Sequence, residues 1–120
     1  MYYLIIEVVD VSYKEDIYLA LQSIGISRAS TIDSRNISGE LTDEFTFFTG
    51  FFRSDKLKAE EQIMITTQVR SKEQVKEFLG NLREGGVDID ANDVLTVTLI
   101  PAALTFDSAH GFHEDESEEE

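Results

Sequence analysis

Two segments of this chain repeat one plan, and that repeat limits the folds open to it. In the first, Tyr2 to Val9 is apolar apart from Glu7, as a central strand covered on both faces would be. Ser12-Tyr13-Lys14-Glu15 then reads as a capping box, and Tyr13, Ile17, Ala20, Leu21 and Ile24 follow at spacings of three and four. Gly25 closes that helix, because glycine takes a left-handed conformation cheaply. In the second segment, Ile63, Ile65, Thr67 and Val69 alternate with Met64, Thr66, Gln68 and Arg70 as a strand should. Ser71-Lys72-Glu73-Gln74 is a second capping box, Val75, Phe78, Leu79 and Leu82 form a second stripe, and Gly85-Gly86 end it.

Each of these strand–helix pairs has a further strand to follow it. Arg28 to Ile37 is polar but β-branched in places, and Ser38-Gly39 break it. Leu95, Val97 and Leu99 alternate with Val94, Thr96, Thr98 and Ile100 before Pro101. Strand, helix, strand, loop, strand, helix, strand predicts an α+β fold. It is a ferredoxin-like βαββαβ sandwich: a four-stranded antiparallel sheet with two helices on one face. The expected domain runs over residues 1–106 with a loop insertion at about 38–62, and 107–120 is expected to be an acidic, disordered tail. The sheet's second face also carries apolar residues and has no helix to cover it, which predicts self-association.

The charge balance bears on partners. A net charge of -14, with six acids from Glu114 onward, argues against nucleic acid and against anionic membrane surfaces. The absence of cysteine removes disulfides, zinc-thiolate sites and cysteine nucleophiles. No apolar run is long enough to span a bilayer, and Met1-Tyr2-Tyr3-Leu4 lacks a signal peptide's basic start, so a cytoplasmic location is expected. Neither a P-loop nor a dinucleotide fingerprint is present, and nothing in the sequence favours a serine–histidine nucleophile. The expectation is a non-enzyme with no catalytic residues and no cofactor.

Four groups carry possible binding chemistry. Phe45, Phe47, Phe48, Phe51 and Phe52, followed by Arg53, hold five of the eight phenylalanines. This segment is core, or an aromatic loop that meets a partner, or both if it is buried between subunits. Asp33, Ser34, Arg35 and Asn36 form a dense polar group, either an anion site built on the arginine fork or a strand-end turn. Asp88, Asp90, Asn92 and Asp93 match a calcium loop poorly and read as a solvated turn. His110 and His113 with the following acids invite a divalent cation, but the sequence does not promise the ordering that a specific metal site needs.

The run Gly25-Ile26-Ser27-Arg28-Ala29-Ser30-Thr31-Ile32-Asp33-Ser34-Arg35, followed by Phe47-Phe48-Thr49-Gly50-Phe51-Phe52-Arg53, resembles divergent members of the nitrogen-regulatory PII signalling family. The resemblance covers roughly residues 2–106. It implies a homotrimer whose sheets line the centre, with ligand clefts between subunits and a T-loop that docks on target proteins. By position it implies ligand contacts from Ser30, Asp33, Ser34, Arg35, Asn36, Ser38 and Asn92, and partner contacts from the phenylalanine-rich loop. The chain departs from the family at Asp90-Ala91-Asn92-Asp93, where a glycine-rich loop ending in a phosphate-binding lysine is expected. Two aspartates repel a triphosphate, so standard adenine-nucleotide binding is not expected. The tyrosines, Tyr2, Tyr3, Tyr13 and Tyr18, all lie outside the loop, so loop uridylylation is not expected either.

The expected function is that of a trimeric PII-like signalling protein, binding a small effector in its clefts, a target protein through its loop, or both. The alternatives are a divalent-metal-binding or metal-tolerance protein of similar fold, for which the His110/His113 tail speaks, and an ACT-like amino-acid-sensing module.

Overall fold

The structure, a computed structural model, describes residues 1–37, 41, 61–91 and 93–114. The phenylalanine-rich segment, Arg53, Ser38 and Asn92 lie outside the described residues. Among the described residues the elements are, in order, β1 (Tyr2–Val8), α1 (Lys14–Ser23), β2 (Ser30–Arg35), β3 (Glu61–Val69), α2 (Lys72–Glu84), β4 (Leu95–Pro101), β5 (Leu104–Asp107) and β6 (Gly111–Glu114). A short 3-10 turn, Val11–Tyr13, precedes α1. No described helix is long and apolar enough to cross a membrane.

The main sheet has the order β2-β3-β1-β4, and every neighbouring pair is antiparallel. β1 and β2 are therefore parallel to each other with β3 between them, and β3 and β4 are parallel with β1 between them. Each strand–helix–strand half is split by a strand of the other, so neither half can form its sheet alone. This is the ferredoxin-like α+β architecture that the element order predicts.

The core lies between the sheet and the helices. Leu4, Ile6 and Val8 of β1 meet Ile63, Ile65 and Val69 of β3, under Ile17, Ala20 and Leu21 of α1 and Val75, Phe78 and Leu82 of α2. Leu95, Val97 and Leu99 of β4 are half-buried on the same side. The helical stripes read from the sequence are the buried faces of both helices.

Both helices end the same way. The N–H of Gly25 bonds to the carbonyl of Gln22 and that of Ile26 to Leu21; the N–H of Gly86 bonds to Arg83 and that of Val87 to Leu82. These are two Schellman motifs, and Gly25 and Gly86 occupy the left-handed position at φ 88° and 92°. The start of α1 differs from the sequence expectation. Asp10 caps the 3-10 turn, its carboxylate accepting the Ser12 N–H at 3.1 Å and the Ser12 hydroxyl at 2.6 Å. The extra turn moves the α-helix start past Ser12 and spends its hydroxyl on Asp10.

The second box forms, with one change. Ser71 Oγ accepts the Gln74 N–H at 3.2 Å, as expected. Gln74 Oε1, however, reaches past the cap to the Arg70 N–H at 2.8 Å, and its Nε2 donates to the Ile24 carbonyl at 3.0 Å. This buried amide joins the start of α2 to the end of α1, and thus one half of the chain to the other.

The chain does not become irregular at residue 107. β5 and β6 form a hairpin that carries regular structure to Glu114, with Phe106 opposite Phe112 and their rings 4.9 Å apart. Asp107 Oδ1 closes its turn by accepting from the backbone N–H groups of Ala109 and His110 at 2.9 and 2.7 Å. An alternating strand pattern around Asp107 and Gly111 is present in this stretch, although its polar composition suggests disorder.

Replacing Gln74 with alanine leaves the Arg70 N–H and the Ile24 carbonyl without these partners. Urea unfolding at fixed protein concentration is expected to show a loss of about 2 kcal/mol for Gln74→Ala, and a change within about 0.5 kcal/mol for Gln22→Ala on the exposed side of α1.

Candidate functional site

The antiparallel register places four chain ends together. The C-terminal ends of β1 and β2 and the N-terminal ends of β3 and β4 share one end of the sheet. There β2 presents Asp33 to Asn36, and the loop before β4 presents Asp88 to Ala91 and Asp93. Val9 and Asp10 fix that loop by donating both N–H groups to the Val94 carbonyl, at 2.9 and 3.1 Å.

The two groups share an end but not an edge. β2 and β4 are the outer strands, with β3 and β1 between them. Three strand spacings separate them by about 14 Å. One copy of the chain therefore does not bring its two candidate groups into contact around a small ligand.

Within β2 the side chains alternate. Asp33 and Arg35 pair with Ile63 and Glu61 on the helix side of the sheet, beyond the cover of the helices, and both are exposed. Ser30 and Ser34 pair with Thr66 and Gln62 and face the open side. Ser34 Oγ is buried with no hydrogen-bond partner among the described residues. A buried hydroxyl without a partner marks a place where a further group is needed. Arg35 and Asn36 are each already engaged in an interaction, so an anion reaching Arg35 competes with an existing partner.

The loop before β4 disposes of one of its acids internally. Arg83 of α2 forks onto Asp90, with Nη2 to Oδ1 at 3.0 Å and Nε to Oδ2 at 3.2 Å. These hydrogen bonds, and then the guanidinium charge, hold the Asp90 carboxyl below the ordinary aspartate range, and Asp90 raises Arg83 in turn. Asp93 sits at φ 64°, a left-handed conformation that side chains disfavour and aspartate tolerates better than most. Neither residue makes this loop a phosphate cradle, since its acid is paired but no free ammonium is added.

The rest of the surface offers less. An open groove of about 390 Å³ lies between the helices, with Leu19, Ala20, Ser23, Asn81, Leu82 and Val87 along it. Its amide is satisfied, Asn81 Nδ2 donating to Ser23 Oγ at 2.8 Å while Ser23 donates to the Ala20 carbonyl at 2.6 Å. No group of three or more His, Asp or Glu able to hold a metal exists among the described residues. His110 instead places Nδ1 3.0 Å from Asp107 Oδ1. Asp107 is held below the usual carboxylate range, first by the His110 backbone N–H.

The open face of the sheet is built of rows that the register defines. Ser30, Thr66, Ile5 and Thr98 form one row, and Ile32, Met64, Glu7 and Thr96 the next; Gln68, Tyr3 and Ile100 close it. Ile5 and Met64 are half-buried, while Tyr3, Ile32 and Ile100 are exposed. Threonines interrupt the apolar residues, so the face is less greasy than the sequence suggests. It carries no charge among the described residues except Glu7.

Many solved structures share this fold, among them the crystal structure of Arabidopsis thaliana PII bound to citrate. It is 18% identical, covers 97% of this chain and 90% of that one, and superposes with a TM-score of 0.58. The chain has a PII-like fold. No family model matches it, and no curated protein matches it. The shared fold is consistent with the order of the described elements. At this identity it says nothing of the ligand.

The Arg83–Asp90 pair has a pH signature. The folded value of Asp90 lies below its unfolded value, so the pair's contribution is present above the ordinary aspartate range and is lost as pH falls through the lowered folded value. A carboxyl-carbon NMR titration is expected to place the Asp90 midpoint below ordinary aspartate, and Arg83→Ala is expected to return it.

Proposed function

We propose that this protein is a ring-forming, non-catalytic regulator of the PII type, in which three copies bring the β2 edge of one against the β4 edge of the next. The observation that carries the reading is the split of the candidate site: Asp33 to Asn36 and the 88–93 loop share an end of the sheet but lie on opposite edges. Opposite edges meet in a head-to-tail contact, which closes into a ring where the rotation between copies is a whole fraction of a turn. In such a ring the two groups face each other across a seam, and the open sheet faces turn inward, away from water.

The ligand of that seam is a small anion or effector held by the C-terminal end of β2, with Asp33, Ser34, Arg35 and Asn36 as contacts, Ser38 two residues beyond them and Asn92 next to Asp93 in sequence; Ser30, which opens β2 at the other end of the sheet, lies about 17 Å from Arg35 and does not join them. The unpartnered Ser34 hydroxyl and the guanidinium of Arg35 support this, as does the citrate on the structural neighbour. A triphosphate fits less well, because Asp93 remains at the seam and Asp90 already occupies Arg83. The phenylalanine-rich segment, Phe45 to Arg53, is the surface for a target protein, and the setting is cytoplasmic.

Sedimentation of the full chain is expected to give a trimer. Calorimetric titration with citrate, other small carboxylates and adenine nucleotides is expected to show binding by a carboxylate or another small anion. Arg35→Ala is expected to weaken that binding about tenfold or more, as loss of a charged hydrogen bond does. A monomer at micromolar concentration would remove the ring; a trimer that binds none of the titrants would leave only the partner-protein role.

A further inference from the structure

The hairpin of β5 and β6 is the part of the structure that its own domain leaves least supported. Leu104, Phe106 and Phe112 share one of its faces by strand alternation and register, and they are 54%, 58% and 73% exposed. Beyond β4, one hydrogen bond among the described residues holds this extension to the sheet, from the Ala102 N–H to the Met1 carbonyl at 3.1 Å. Two-stranded hairpins are marginal in water unless a hydrophobic face is packed. Three large exposed apolar side chains on so slight an element call for a surface to receive them.

The hairpin's place in the sheet says which surface. It continues from β4, the edge strand, at the end of the sheet where β2 begins and β3 ends. Arg28 precedes β2 there, Arg70 follows β3, and Lys72 opens α2. None of these three side chains has an ion-pair partner among the described residues. The hairpin ends in Glu114, and the acids of the C terminus follow it in sequence. The copy's own β2 edge is about 14 Å away across the sheet, whereas a neighbour seated edge to edge puts its β2 end beside the hairpin.

Area points the same way. Four strands of about seven residues present roughly 440 Å² of flat face, against about 800 Å² per partner in a standard stable interface. Each buried aromatic side chain adds about 150–250 Å².

We propose that the β5–β6 hairpin clasps a second copy of this chain, packing Leu104, Phe106 and Phe112 beside the start of the neighbour's β2, with Glu114 facing the neighbour's counterparts of Arg28 and Arg70. The clasp rests on the edge-to-edge ring proposed above. It assigns the C-terminal stretch to assembly and frees the phenylalanine-rich loop for other partners.

The test compares the full chain with the double variant Phe106→Ser/Phe112→Ser by sedimentation over a dilution series, with circular dichroism to check the fold. The expected result is a variant of native helix and sheet content whose assembly is weaker by on the order of tenfold or more, as for loss of buried aromatic anchors. Because the chain has no cysteine, a second measurement uses two single-cysteine variants, Phe112→Cys and Arg28→Cys, mixed and treated with a short bis-maleimide. A crosslink between the two variants, in excess of crosslinks within either alone, is expected. If the wild type assembles, the serine variant assembles equally and the mixed crosslink is absent, the clasp is overturned and the ring stands. A wild type that stays monomeric overturns both. Loss of binding to another protein or to a lipid surface, with assembly unchanged, assigns the hairpin to that other partner and also overturns the clasp.

Discussion

Two helices cover one face of a four-stranded sheet and leave the other face to the solvent or to another molecule. Strand β1 makes this constraint felt throughout. It is paired on both edges, and its inward residues Leu4, Ile6 and Val8 are fully buried while Tyr3, Ile5 and Glu7 look out of the open face. Every other element is placed with respect to it. β3 and β4 flank it, and the helices pack on its inner side. Because each strand–helix–strand half is split by a strand of the other, the core forms only when both halves are present.

Local devices make the two halves agree. The paired Schellman motifs stop both helices at glycine, and each turns an apolar residue, Ile26 or Val87, back toward the helix it ends. Gln74 then ties the halves by satisfying backbone groups at the start of one helix and the end of the other. Such a buried amide is costly when left unpaired and specific when paired. It aligns the helices in a way that apolar contact alone does not.

Charge is distributed with equal consequence. The chain is strongly acidic, yet among the described residues the open sheet face bears one carboxylate, and Asp90 in the loop before β4 is neutralised by Arg83 of α2. The same distribution makes the loop before β4 a poor triphosphate site, because it supplies an ion pair where such a ligand needs donors.

Much of the fold was legible in the residues. The stripes of both helices, the glycine stops, the Ser71 cap and the alternation in β3 and β4 are local periodicities, and local periodicity reports which face of an element is apolar. Less was legible where one polar group had two possible partners: Ser12 looked like a cap until Asp10 took its hydroxyl, and Gln74 reached beyond the cap it was expected to close. The hairpin was hidden because its composition resembles a solvated tail while its alternation spans only four residues a strand. As for the candidate site, the sequence singled out two polar groups, but their register on opposite edges, the buried Ser34 hydroxyl and the Arg83–Asp90 pair depend on residues far apart in the chain. The sequence alone thus determined the two helices and the four strands of the main sheet, their order and the sheet's central strand, since these follow from spacing within a few turns of chain. Tertiary structure alone decided which groups share an end, which edge each occupies and which polar atoms are satisfied, because those relations arise when distant segments pack.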